Sequence, residues 1–150
     1  MANALAAYAH YLSIFVLFAL LTLEHRLFSR EIAVDTARSL IRLDIAYGLC
    51  AGVVLVTGLA RVLWFGKGLA YYLGNGLFHA KVGLFILVGL ISVVPTWVYL
   101  SWRNDLKAGR MPNISAGQAR LVTTVIRLEL ALLLVIPLLA TMMARGIGTA

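Results

Sequence analysis

The chain has 150 residues, of which 62% are hydrophobic and 13% charged, with a formal net charge of +7. Soluble domains usually carry about a quarter of their residues as charges, and so apolar a chain of this length could not hide its surface in a soluble fold. A nucleic-acid-binding domain is excluded as well, because the basic residues lie in short blocks between apolar runs and leave no basic domain once those blocks are read as loops.

Four stretches are expected to cross a bilayer, at about residues 4–25, 44–65, 77–102 and 118–145. The first is uncharged through Leu23 and interrupted only by His10 and Ser13. At ~1.5 Å per residue it just covers a hydrocarbon layer of ~30 Å. It does not read as a cleaved signal, because no Lys or Arg precedes it and the apolar run is long enough to span.

Residues 29–44 then have the pattern of an interfacial amphipathic helix, with Ala33, Ala37, Leu40 and Ile41 on one face and Arg38 and Arg42 snorkelling. The second stretch carries Arg61 near its far end and Cys50 in its middle. Cys50 is the single cysteine, so the chain forms no internal disulfide and the thiol reads as a packing residue. Gly48 and Gly52, four apart, are either a small-xxx-small contact or two of the glycines common in membrane helices. The connector that follows holds Gly66, Lys67, Gly68, Gly74 and Gly76 and matches no phosphate-binding loop.

The third stretch opens with His79 and Lys81 in its first turns. In the fourth, the uncharged part, residues 130–144, is too short to cross alone. Its helix is therefore expected to begin near Gln118 and to carry Arg127 and Glu129 inside it.

Residues 26–42 and 103–120 contain Arg26, Arg30, Arg38, Arg42, Arg103, Lys107, Arg110 and Arg120, whereas the other side of the membrane has Arg61, Lys67, Lys81 and Arg145. The positive-inside rule then puts the first and third loops in the cytoplasm of a bacterial-type inner membrane and both termini on the periplasmic side. Tyr8, Tyr11, Trp64, Tyr71 and Tyr72 read as the aromatic belt of the outer interface, and Trp97, Tyr99 and Trp102 as that of the inner one. Short connections predict an all-α, four-transmembrane antiparallel bundle in one domain, with the bilayer as its surroundings.

Ionisable residues within a membrane are functional candidates by default. One set, His10, Arg61, His79 and Lys81, lies towards the outer face. The first and third spans are diagonal in such a bundle, so His10 and His79 could face each other as ligands of a haem or metal. Gly76 and Gly83 flank His79 on its own face, and Lys81 points roughly 200° away from it. The plainer alternative is that these groups hydrogen-bond to water, backbone or headgroups. His25 stands about 22 Å along the helix from His10 and cannot join that set.

The inner set is Glu24, His25, Arg42, Asp44, Arg103, Arg127 and Glu129. Arg127 and Glu129 face different ways and need partners on other helices. A structural ion pair with Glu24 or Asp44 is one reading, and a proton path or substrate-carboxylate site the other. No nucleophile–base pair or nucleotide motif is present, so redox chemistry would have to come from a cofactor.

His10, the Arg26-Leu27-Phe28 triplet, the His79-Ala80-Lys81 triplet and the Arg127-Leu128-Glu129 stretch together resemble the bacterial HemJ-type protoporphyrinogen IX oxidases and the related copper-resistance-D-like membrane domains. The layout is closer still to an uncharacterised predicted-membrane-protein family of the same size. The resemblance implies a four-helix protein binding haem b, with His10 as axial ligand. His79 would be the second ligand, Lys81 the alternative ligand or a propionate partner, and Arg61 a further propionate partner. It also implies porphyrinogen oxidation or electron transfer to a quinone or the respiratory chain, and it admits a homo-oligomer. Glu24-His25-Arg26 lacks the proline of the oxidase pattern, and Leu77-Phe78-His79 lacks its tryptophan. The alternative is a non-catalytic membrane subunit, or a copper- or metal-handling protein without haem.

Overall fold

A computed structural model describes residues 1–65 and 68–148. Gly66 and Lys67, read above as part of the glycine-rich connector, lie outside the described residues. Seven helices follow in chain order: α1 (Ala2–Leu27), α2 (Val34–Leu63), α3 (Leu69–Leu73), α4 (Gly76–Ile91), α5 (Val93–Ser101), α6 (Arg103–Lys107) and α7 (Ala116–Ala144). Four helical units are long and apolar enough to cross a membrane: α1, α2, the α4–α5–α6 run from Gly76 to Lys107, and α7. No strand occurs among the described residues.

The first crossing ends where Phe28 turns extended, with its N–H still donating to the Glu24 carbonyl. A six-residue link, residues 28–33, leads to α2, which runs unbroken for 30 residues. At 1.5 Å per residue that is about 45 Å, longer than a hydrocarbon core of about 30 Å, so α2 projects beyond it. The amphipathic stretch expected to lie flat as a separate helix is instead the first turns of α2. Its apolar face is turned into the bundle, because Ala37 and Leu40 are fully buried and continue the stripe of Asp44, Tyr47 and Val54.

The third crossing is broken at Ser92 and again at Trp102. Pro95 explains the first break: it has no N–H for the Ile91 carbonyl, and its ring crowds that carbonyl. The Ser92 hydroxyl bonds back to Gly89 (2.8 Å), and the Thr96 amide reaches the Ser92 carbonyl at 3.3 Å. Beyond the break, α5 packs on both α2 and α7, while α4 packs chiefly on α7 and α1 chiefly on α2. The last helix starts on a capping box: Ser115 Oγ accepts from the Gln118 amide, and the Gln118 side chain accepts from the Ser115 amide.

Both termini and α3 gather at one end of the bundle, here the terminal end. The 28–33 and 108–115 connections form the other, the loop end. At the terminal end, buried Asn75 caps α4 by accepting from the Leu77 amide (2.9 Å) and donates to the Ile147 carbonyl (3.2 Å). The Tyr71 hydroxyl donates to the Met143 carbonyl at 2.7 Å.

The core is lopsided. On α1 only Leu17, Leu21 and Glu24 are buried, all in the half nearer the loop end. Below them Phe28 stacks on Trp102 at 6.4 Å between ring centres, and Tyr99 packs on Trp102 at 4.9 Å. Tyr99 and Trp102 are therefore core residues and not members of an interfacial belt, whereas Trp97, 74% exposed, remains at the surface. The Gly48/Gly52 pair is not a close contact either, because an added Cβ at either position would meet nothing within 4 Å. The tight approach between α1 and α2 is at Gly58, where a Cβ would come within 3.2 Å of the His10 ring.

Replacing Asn75 by Ala removes a helix cap and the tie to the C-terminal turn together. Reversible unfolding in mixed detergent micelles should show a loss of roughly 1–3 kcal/mol.

Candidate functional sites at the two ends of the bundle

At the terminal end, the His10 ring is turned towards α2, with Nδ1 2.9 Å from the Thr57 hydroxyl. Arg61 and Lys81 both stand close enough to act on it electrostatically. Arg61 also lies over the Tyr11 ring, 5.0 Å from its centre, and Lys81 lies 5.4 Å from the centre of the Phe78 ring. His10, Arg61 and Lys81 are thus drawn together from α1, α2 and α4. His79 faces elsewhere: its side chain is exposed, and Nε2 is 2.9 Å from the Leu73 carbonyl. Of His79 and Lys81, which point about 200° apart, it is Lys81 that comes near enough to act on His10. Open space lies beside Gly76 and Gly83 on the His79 side.

As donors, the imidazole of His10 and the amine of Lys81 suit a haem iron, and the Arg61 guanidinium suits a propionate. These are donor types that a b-type haem can use.

The residues named for the loop end separate into three places. His25 and Arg127 form a pair on one flank, with Arg127 Nε donating to His25 Nε2 at 3.2 Å. Arg42 and Arg103 line an open groove with Arg38 and Lys107. Glu24, Asp44 and Glu129 go inside, at 1%, 9% and 0% exposure. The expected ion pair of Arg127 with Glu24 or Asp44 does not form among the described residues. Two residues apart on α7, Arg127 and Glu129 point about 200° from each other, so burial of the carboxyl turns the guanidinium outward. Among the described residues the acid–base pairs are Arg38–Asp35 (3.3 Å) and Arg110–Asp105 (2.8 Å), both away from this core.

Half of the chain's six acidic residues are therefore gathered in one buried cluster, from α1, α2 and α7, with no cation in ion-pair range among the described residues. Glu129 feels the charges of both Glu24 and Asp44. Asp44 Oδ1 accepts from the Thr96 hydroxyl at 2.8 Å. The Tyr99 hydroxyl approaches Glu24. That hydroxyl and all four carboxyl oxygens of Glu24 and Glu129 nevertheless complete no hydrogen bond among the described residues. An unsatisfied buried polar group costs about 1–3 kcal/mol and a buried unpaired charge more, so this concentration calls for a functional explanation.

Beside the cluster, towards the middle of the bundle, lies a cavity of about 70 Å3 whose lining includes Leu17, Tyr47, Phe85, Val88 and Ser92. Tyr47 and Ser92 give it two polar edges, and it has room for water.

Thr96, Tyr99 and Tyr47 belong to this site and are not singled out by the sequence. Their signal was available: Thr96 and Tyr99, three apart, share a face just beyond Pro95. Tyr47 lies three residues beyond Asp44 on the same stripe.

The two α5 side chains should respond oppositely to substitution. Thr96→Val strips a buried carboxyl of its donor and should destabilise the fold by roughly 1–3 kcal/mol. Tyr99→Phe removes a hydroxyl that has no partner and should be neutral within about 1 kcal/mol, or stabilising. Denaturation in mixed micelles compares the two directly.

No curated protein and no solved structure matches the chain significantly. A family model described as "Predicted membrane protein (DUF2214)" matches residues 2–148. With four helices able to cross a bilayer and that match over nearly its whole length, the chain belongs to the DUF2214 family of predicted membrane proteins.

Proposed function

We propose that the protein handles protons within the membrane, with Glu24, Asp44 and Glu129 as the group that takes them up. The observation that carries this reading is the burial of three mutually interacting carboxyl groups with no cation in ion-pair range among the described residues. Three negative charges in so dry a volume would repel one another and forgo their hydration. The cluster therefore needs positive charge from outside its own side chains, and protons are the smallest supply.

The local chemistry suits both states of Asp44. Thr96 Oγ1 lies 2.8 Å from Asp44 Oδ1 and 3.0 Å from the Ser92 carbonyl, and its one proton serves one of them at a time. Beside an ionised Asp44 the hydroxyl donates to the carboxylate. Beside a protonated Asp44 it turns to Ser92 and accepts from the acid. The Tyr99 hydroxyl approaches Glu24, and the cavity at Tyr47 gives water a place to connect the cluster with the middle of the bundle. On the positive-inside reading, the nearer surface is the cytoplasmic one of a bacterial inner membrane.

Infrared difference spectroscopy of the protein in nanodiscs tests this. The carbonyl band of protonated carboxylic acid should be present at neutral pH, shift in D2O, and weaken separately in Glu24→Gln and Glu129→Gln. Fully ionised carboxyls at neutral pH would sink the reading. So would a band that neither substitution alters.

A second reading, a haem b protein with electron-transfer or HemJ-like oxidase activity, is favoured by a separate observation: His10, Arg61 and Lys81 gather at the terminal end with no acidic partner in ion-pair range among the described residues. His10 and Lys81 would hold the iron and Arg61 a propionate, and a b-type haem there would supply one-electron chemistry. Protein purified after haem-replete expression should show a reducible Soret band that His10→Ala abolishes and Lys81→Ala shifts or weakens. A colourless, folded protein is the contrary outcome. Rescue of a strain lacking protoporphyrinogen oxidase examines the enzymatic part separately.

A further inference from the structure

Neither the carboxyl cluster nor the His10 group uses four of the cations at the loop end. Arg38 and Arg42 stand one turn apart on α2, and Arg103 and Lys107 one turn apart on α6. The two pairs face each other across an open groove of about 430 Å3, with Ile41 and Leu106 as its apolar wall. Like charges one helical turn apart repel, yet this arrangement sets two such pairs opposite each other. Asp35 offsets part of it, 3.3 Å from Arg38 Nη1. Arg42, Arg103 and Lys107 have no carboxylate within 4 Å among the described residues.

The groove is also built rather than loose. Arg38 Nη2 donates to the Leu106 carbonyl at 3.1 Å, which joins α2 to α6 and fixes the spacing of the two rows. Leu106 itself is buried at 5% exposure. The groove lies along the first turns of α2, which project beyond the hydrocarbon layer, and thus at headgroup depth.

We propose that this groove binds the phosphodiester headgroup of an anionic phospholipid. The phosphate would sit between the α2 and α6 cations, where guanidinium groups offer paired donors to phosphate oxygens. The apolar wall decides between a lipid and a free phosphate ion. One turn further along the same face of α2 from Ile41 stands Ile45, 50% accessible. That gives acyl chains an apolar path from the headgroup into the bilayer, which a soluble anion would not use.

Native mass spectrometry of the full chain, released from mixed phosphatidylcholine and cardiolipin or phosphatidylglycerol, tests the assignment. The wild type should retain the anionic lipid in preference to phosphatidylcholine. Arg42→Gln and Arg103→Gln should each lower that retention roughly fivefold. Arg120→Gln, an equal loss of charge elsewhere at the loop end, should leave it unchanged. Glycerol phosphate and inorganic phosphate should fail to compete. Equal retention of both lipid types would overturn the proposal, as would an equal effect of Arg120→Gln, which would mark a general surface charge. Competition by free phosphate would assign the groove to a soluble anion instead. All three variants alter exposed side chains, and circular dichroism of each confirms that the fold is retained.

Discussion

Hydrocarbon offers no hydrogen-bond partners, so a chain that crosses it must satisfy its backbone within its own helices. Pro95 is where this protein does so least simply. It leaves the Ile91 carbonyl without its helical donor and divides the third crossing into α4 and α5. The division has consequences for the whole loop half. The helix beyond it packs against both α2 and α7, and so Thr96 meets Asp44 while Tyr99 enters the space between Glu24, Phe28 and Trp102.

Charge is sorted with equal consequence. Three of the six acids lie in the core, whereas the basic side chains stay at the ends or flanks of the bundle. Arg127 is the instructive case. One helical turn cannot present both Arg127 and Glu129 to the interior, and the guanidinium is the longer and more easily snorkelled group. It is left on the flank with His25, and Glu129 is left inside without a counter-charge. An interior of one sign is the physical basis of the proton reading. A loop-end surface of the opposite sign is the basis of the lipid one.

The two halves of the bundle differ in packing as well. The loop half contains the aromatic seal and most of the fully buried side chains. In the terminal half the first 15 residues of α1 include no buried residue at all. His10, Arg61 and Lys81 therefore stand in a looser neighbourhood, where a bound group would displace less protein than it would near Tyr99. At its outermost edge this half is tied by Asn75 and by the Tyr71 hydroxyl to the last turn of α7.

Much of this was legible before the helices were assembled. Apolar length determined four crossings, because a bilayer of fixed thickness sets a minimum run. The expected start of the fourth helix near Gln118 lies two residues from its observed start at Ala116, while the Ser115 cap and the Pro95 break are signals that the four-span reading does not use. The 200° rule separated His79 from Lys81 and Arg127 from Glu129, since it depends on one helix alone. What a single helix cannot decide is which of two such residues faces inward. That depended on packing among helices distant in sequence: it selected Lys81 over His79 to approach His10, put Tyr99 and Trp102 in the core instead of the interface, and brought Glu24, Asp44 and Glu129 together without a cation. Sequence alone therefore determined the crossings and the angular options on each. The tertiary structure chose among the options, because burial is a property of the assembled bundle and of no one helix in it.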